Sequence, residues 1–224
     1  MDYTLILLLP AIILSAYAQM KVSSTYNKYA KVHAASNISA SAMARQMLDM
    51  NGLHNVRIER VKGNLTDHYD PRGKVLRLSE ATYGSSSVAA LGVAAHECGH
   101  ALQDAENYGP LKLRGTLVPI ANFGSSASWI LILLGIFLAS SGLLFIGIIA
   151  FSAVVLFQLV TLPVEFNASN RALACLEGAG FLQAQEVPQT QKVLKAAALT
   201  YVAAALTSVL QLVRLLLIFG RSRD

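Results

Sequence analysis

Residues 117–163 hold 47 consecutive positions without a charged side chain, and this constrains the chain more than any other feature. One bilayer crossing takes about 20 apolar residues as a helix. In hydrocarbon the backbone must satisfy its own hydrogen bonds. The run is therefore about twice one span, and a hairpin of two antiparallel transmembrane helices fits it better than one long tilted helix. The expected helices are 118–139 and 142–162, with Ser140-Ser141-Gly142 as the tight turn.

Two further apolar blocks flank this hairpin. Residues 3–20 are uncharged and reach about 27 Å as a helix, enough for a short span. Ala16-Tyr17-Ala18 resembles a signal-peptide cleavage site, but the segment before it carries Asp2 and no basic residue, so an uncleaved anchor is the expectation. Residues 196–219 contain only Arg214 as a charge and form a fourth candidate span, or else lie in the interface. Composition agrees: 54% of the 224 residues are hydrophobic and only 14% are charged, against about 25% in a soluble domain. The net charge of +5 speaks to topology, and no basic run with interleaved aromatics points to nucleic acid. Of the 18 Lys and Arg, twelve lie in 21–114, three in 163–195 and three from Arg214 onward. With Lys21, Lys28 and Lys31 directly after the anchor, this bias places the polar region on the cytoplasmic side of a multi-pass cell-membrane protein; the basic tail at Arg221 and Arg223 argues the other way.

The polar part is small. Residues 21–37 read as a connector, and 38–51 as a helix with Ile38, Met43, Met47 and Met50 on its packing face and Gly52 as its stop. Residues 55–62 alternate as a half-buried strand, 63–74 are rich in turn residues, and 74–79 read as a second strand. These predict a short antiparallel β ribbon, which can serve as an edge for an extended peptide or as a lid on the helix that follows.

That helix, from about Ser85 to Asn107, carries the chemistry. His96-Glu97-Cys98-Gly99-His100 puts two imidazoles four residues apart on one face, where both reach one Zn²⁺, with Glu97 placed as general base. With 5 histidines and 7 glutamates in the chain, about 0.003 chance matches to H-E-x-x-H are expected. Ser85, Ser86 and Ser87 offer N-cap oxygens and Gly109-Pro110 is the expected stop. The helix is apolar nearly all round, so it is expected to be buried.

Glu165 follows the hairpin at once. Two crossings return it to the side that holds His96 and His100, so it is the candidate third ligand; an interfacial Glu paired with Arg171 is the plain alternative. Residues 164–179 read as a separate helix ended by Gly178 and Gly180. Cys98 and Cys175 cannot build a disulfide framework, and Cys98 leaves the helix on another face from the histidines, as a buried small residue. His68 sits in the turn-rich stretch as a possible substrate contact or a solvated residue, and His33 and His54 have no evident partner.

HECGHALQD, preceded by TDHYDPRGKVLRLS and followed by the hydrophobic hairpin, resembles the neutral zinc metallopeptidases of the bacterial YugP type. The order of elements is also similar to the HtpX-type and CAAX prenyl membrane proteases, gluzincins whose third ligand is a Glu on a later helix. In those the later motif is E-x-x-x-D, and here Ser169 stands where the Asp would orient the first histidine. Asn167, Ser169, Asn170 and Asp104 are the candidates for that duty. The resemblance implies a mainly α membrane protein with about four transmembrane helices and a small α+β zincin-like part. The expected divisions are an anchor (1–20), the zincin-like domain (21–114), the hairpin (115–163), the third-ligand helix and loop (164–195) and a last transmembrane segment with its tail (196–224).

The expected function is zinc-dependent hydrolysis of peptide bonds. His96, His100 and Glu165 hold Zn²⁺ and leave a fourth position for water, Glu97 takes the water proton and passes it to the leaving amine, and His68, Arg171 and Tyr201 are candidate oxyanion donors. With so small a polar part, the substrate is expected to be a membrane-associated protein or peptide, with an oligomer or membrane partner open. Two other classes compete: a zinc-stabilised scaffold that has lost activity, supported by the Asp-to-Ser change, and a zinc transporter, which needs ligands at mid-membrane depth.

Overall fold

The computed structural model describes residues 3–221. Asp2 and the basic tail beyond Arg221, both weighed above, lie outside the described residues. The elements in order are α1 (Leu9–Tyr29, entered by a 3-10 stretch Tyr3–Leu8), α2 (Ala40–Met50), β1 (Arg57–Val61), β2 (His68–Asp70), β3 (Val75–Ser79), α3 (Glu80–Tyr83), α4 (Val88–Ala105), α5 (Gly109–Phe137), α6 (Ser141–Gly178) and α7 (Val187–Arg221). Among the described residues, four helical stretches are long and apolar enough to cross a membrane: Thr4–Tyr29, Gly109–Phe137, Ser141–Gly178 and Val187–Gly220. The chain is thus a mainly α membrane protein with a small sheet.

Two compact units divide the chain. The first comprises Met1–Gln19, Lys112–Pro163 and Leu199–Asp224. Its helices α5 and α6 form the hairpin, and small residues let their backbones approach. A Cβ on Gly124 would lie 2.7 Å from the Ala150 carbonyl oxygen, and one on Gly135 would lie 2.6 Å from the Leu144 nitrogen. Ile132, Leu144, Ile148, Phe151, Val155 and Leu215 make the buried cluster of this unit. The reversal falls at 138–140, with Ala139 at φ 48°, two residues earlier than the serine-glycine turn expected from sequence. Gly109-Pro110 is not the stop of α4, which ends at Ala105 with Glu106 as its C-cap and Asn107 at φ 57°; it opens α5 instead, because a proline in the first helical turn forfeits no hydrogen bond.

The second unit comprises Met20–Leu111 and Val164–Ala198. Its core joins Met43, Met47 and Leu48 of α2, Leu76 and Leu78 of β3, Leu91, Ala94 and Cys98 of α4, and Ala172 and Leu176 of α6. Ser39 caps α2 by accepting from the Ala42 N–H, and Gly52 follows at φ 73°, a conformation glycine adopts without strain. Arg45 donates to the carbonyls of Leu53 and Val56 and so fastens the loop that leads into β1.

The sheet corrects the expected antiparallel ribbon. Its order is β1-β3-β2; β1 pairs with β3 in parallel, Ile58 opposite Leu76, and β2 pairs antiparallel to β3, Tyr69 opposite Leu76. Alternation of apolar residues marks strands but does not set their direction. A parallel neighbour needs a connection of about a dozen residues, and residues 62–74 supply it with β2 folded inside. The turn between β2 and β3 is held by Asp70, whose Oδ1 accepts from the backbone N–H groups of Arg72 and Gly73. Residues 164–179 are not a separate helix either: α6 runs from Ser141 to Gly178 through Pro163.

Candidate metal centre

Helix α4 is set by its N-cap: Ser87 Oγ accepts from the Ala90 N–H at 3.2 Å. Most of its surface is buried, as the apolar periphery predicts. One turn apart on it, His96 and His100 face the part of α6 that begins at Val164. The approach of the two helices is close because residue 99 has no side chain. A Cβ there would lie 2.5 Å from the Ala168 carbonyl oxygen.

This approach brings Glu165 to the histidines. Its Oε2 lies 3.2 Å from His96 Nε2 and 3.6 Å from His100 Nε2. One ligand atom from each of the three residues lies within 4.8 Å of the others. The side chains are 15%, 11% and 2% exposed, in the order His96, His100, Glu165. The donor set suits a divalent cation: two imidazole nitrogens and one carboxylate oxygen are a common zinc triad and leave a coordination position open. Electrostatics point the same way at His100. Burial alone would lower its pKa, but the hydrogen bond with Glu165 and the charges of Glu97 and Glu165 outweigh burial and raise it, so the pocket favours positive charge.

Both histidines are held from behind. His96 Nδ1 lies 3.1 Å from Ser169 Oγ, so the residue standing where the resembled families have Asp makes the contact itself. His100 Nδ1 lies 3.0 Å from Gln103 Oε1. Gln103 is fully buried and its Nε2 donates to the Val164 carbonyl at 2.8 Å and to Asn167 Oδ1 at 2.9 Å. Sequence reasoning missed Gln103, although its place three residues after His100 on one helix was the available signal. Of the other candidates for this duty, Asn170 is exposed, Asn167 acts one step further out, and Asp104 accepts instead from Tyr69 Oη and Lys74 Nζ. That shared carboxylate ties β2 and its turn to α4. Burial, then the bond to Asp104, raise the Tyr69 pKa.

The remaining sequence candidates fall elsewhere. Glu97 is half-buried on α4 between the two histidines and makes no side-chain hydrogen bond or ion pair among the described residues. Cys98 is fully buried, its thiol turned to the Ala44 carbonyl of α2 and its pKa pushed up by burial, as expected of a packing residue. His68 is tied into its own turn, Nδ1 lying 2.9 Å from the Thr66 carbonyl, and is exposed. His54 lies against Asp49 and His33 against Ser86. Arg171 binds Glu106 with both terminal nitrogens, at 2.6 and 2.7 Å, in place of the pairing with Glu165 considered from sequence. Tyr201 belongs to the first unit.

Comparison with known proteins agrees with this chemistry. Residues 4–220 match the family described as "Putative neutral zinc metallopeptidase". The chain is also 51% identical over 218 residues to the Bacillus subtilis (strain 168) protein named "Putative membrane protease YugP", covering 97% of each. No solved structure matches it. A family match across nearly the whole chain, with a relative this similar end to end, places the protein plainly: it belongs to the family described as "Putative neutral zinc metallopeptidase".

Proposed function

We propose that the chain is a membrane-embedded zinc metalloendopeptidase of the gluzincin kind, with His96, His100 and Glu165 as the metal ligands and Glu97 as the general base. The observation that carries the reading is the convergence of two imidazole nitrogens and one carboxylate oxygen within 4.8 Å, the carboxylate coming from 69 positions beyond His96 in the chain. When bound, Zn²⁺ supplies a Lewis acid and a coordinated water whose pKa falls to about 7. The residues do the rest. His96 and His100 each present Nε2 while Nδ1 is held by Ser169 and by Gln103, so both rings are fixed in orientation. Glu97 adjoins His96 in sequence and has no competing partner, so its carboxylate is available to hold the proton taken from the attacking water and to deliver it to the leaving amine nitrogen.

The substrate class follows from the setting. Four apolar helices and a small polar unit favour a membrane protein or a peptide close to the bilayer. We place the chain as a multi-pass cell-membrane protein with the polar unit on the cytoplasmic side, from the twelve Lys and Arg in 21–114. The inactive-scaffold reading rested on the missing Asp. With Ser169 Oγ at hydrogen-bond distance from His96, it loses that support. The test is Glu97→Gln in the purified full chain. It is expected to keep about one zinc per chain by elemental analysis and to lose hydrolysis of a membrane-protein substrate. Cleavage at the parent rate would overturn the role of Glu97, and an unmutated chain that binds no zinc would overturn the site.

A further inference from the structure

Behind His100 runs a relay of side chains whose donors and acceptors leave no freedom of assignment. The carbonyl oxygen of Val164 can only accept, so the Gln103 side-chain atom 2.8 Å from it is the amide NH₂. At the far end the Arg171 guanidinium can only donate, so the Asn167 atom 2.7 Å from its Nε is the oxygen. That oxygen also accepts from Gln103 Nε2 at 2.9 Å. Both constraints orient the Gln103 amide the same way and turn its Oε1 toward His100 Nδ1. Arg171 is itself held by the two bonds to Glu106. His96 differs: the Ser169 hydroxyl can donate or accept, so it fixes the ring's position but not its proton.

We propose that Gln103 is a positioning residue whose amide, locked by Val164, Asn167 and Arg171, holds His100 as the Nδ1–H tautomer with the Nε2 lone pair aimed at the metal. The inference rests on the metal-centre reading above and adds to it a line of hydrogen bonds from a ligand to an ion pair at the surface. Gln103 is fully buried, so no water competes for its atoms. Its side chain can reach every partner only in one orientation. A mutation at Arg171, which touches no ligand, therefore acts on the centre through two intervening amides.

The experiment uses the full chain in detergent micelles. Long-range ¹H–¹⁵N spectra of the metal-free, histidine-labelled protein at alkaline pH read the tautomer of His100 directly, with Nδ1–H expected. Zinc affinity, measured by competition with a chelator, is expected to fall 10–100-fold in Gln103→Leu, the range for loss of a partner behind a metal histidine. It is expected to fall less in Asn167→Leu, and to stay within about twofold in Asn167→Asp, which keeps an acceptor oxygen for both donors. An Nε2–H signal for His100 in the unmutated protein overturns the proposal even if Gln103→Leu fails to fold. So does a Gln103→Leu protein that binds zinc as tightly as the parent. If the parent binds no zinc, the metal-centre reading fails, and the spectra still decide the tautomer.

Discussion

Gly99→Ala is the most demanding test of how the centre is built. The added Cβ would lie 2.5 Å from the Ala168 carbonyl oxygen, about 0.9 Å short of the 3.4 Å at which ordinary contact begins. The obstacle is backbone of α6, which cannot rotate aside. The two helices must part, and Glu165 lies on α6 three residues before the point of contact while both histidines flank Gly99 on α4. A metal site tolerates about ±0.2 Å in its ligand distances. A separation of most of an ångström therefore removes the carboxylate from the imidazoles and leaves two ligands. Zinc affinity is expected to fall by about 100-fold or more, a loss of about 2.7 kcal/mol. Overpacking of this kind adds about 1–3 kcal/mol of destabilisation. Gly92→Ala serves as the comparison on the same helix, because its Cβ would meet side-chain atoms of Thr190, the methyl at 2.8 Å, and not the backbone of α6. Chelator competition on the purified full chain reads the affinity. If separation acts by displacing Glu165, Gly99→Ala combined with Glu165→Gln should lose no more than the worse single variant. Parental zinc affinity in Gly99→Ala would refute the reasoning.

Other substitutions probe the surroundings. Ser169→Ala removes the hydroxyl against His96 Nδ1 and should weaken zinc binding 10–100-fold by chelator competition, with the helical circular-dichroism signal unchanged. Free zinc at 100 times the dissociation constant should stabilise the parent by about 2.7 kcal/mol in denaturation experiments, and Glu165→Gln should lose most of that gain. Tyr69→Phe leaves Asp104 with Lys74 alone and should cost about 1 kcal/mol of stability, read by the denaturation midpoint. Glu186 is 5% exposed and accepts from the backbone N–H groups of Ala35 and Gln183, so Glu186→Ala strands two donors and should cost about 2 kcal/mol or more, also visible as faster proteolysis between residues 30 and 40.

How much of this was legible in sequence depends on the range over which each signal acts. The convergence of the two histidines was legible because an α-helix converts a spacing of four into a shared face within one element. The spans were legible because lipid demands a long apolar run whatever the tertiary structure. The direction of β1 against β3 was not, since alternation is the same for parallel and antiparallel pairing, and β2 is three residues long among turn formers. The fusion of 164–178 with the second hairpin helix was hidden by Pro163, which breaks helices in water. In a mostly apolar helix the loss of one backbone bond is tolerated. The partners behind the histidines were the least legible. Ser169 stands where the resembled families have Asp and was one of four candidates that sequence could not rank, since what His96 Nδ1 needs is an oxygen at about 3 Å and not a particular residue type. A serine on a helix brought close by Gly99 meets that need without a buried second carboxylate.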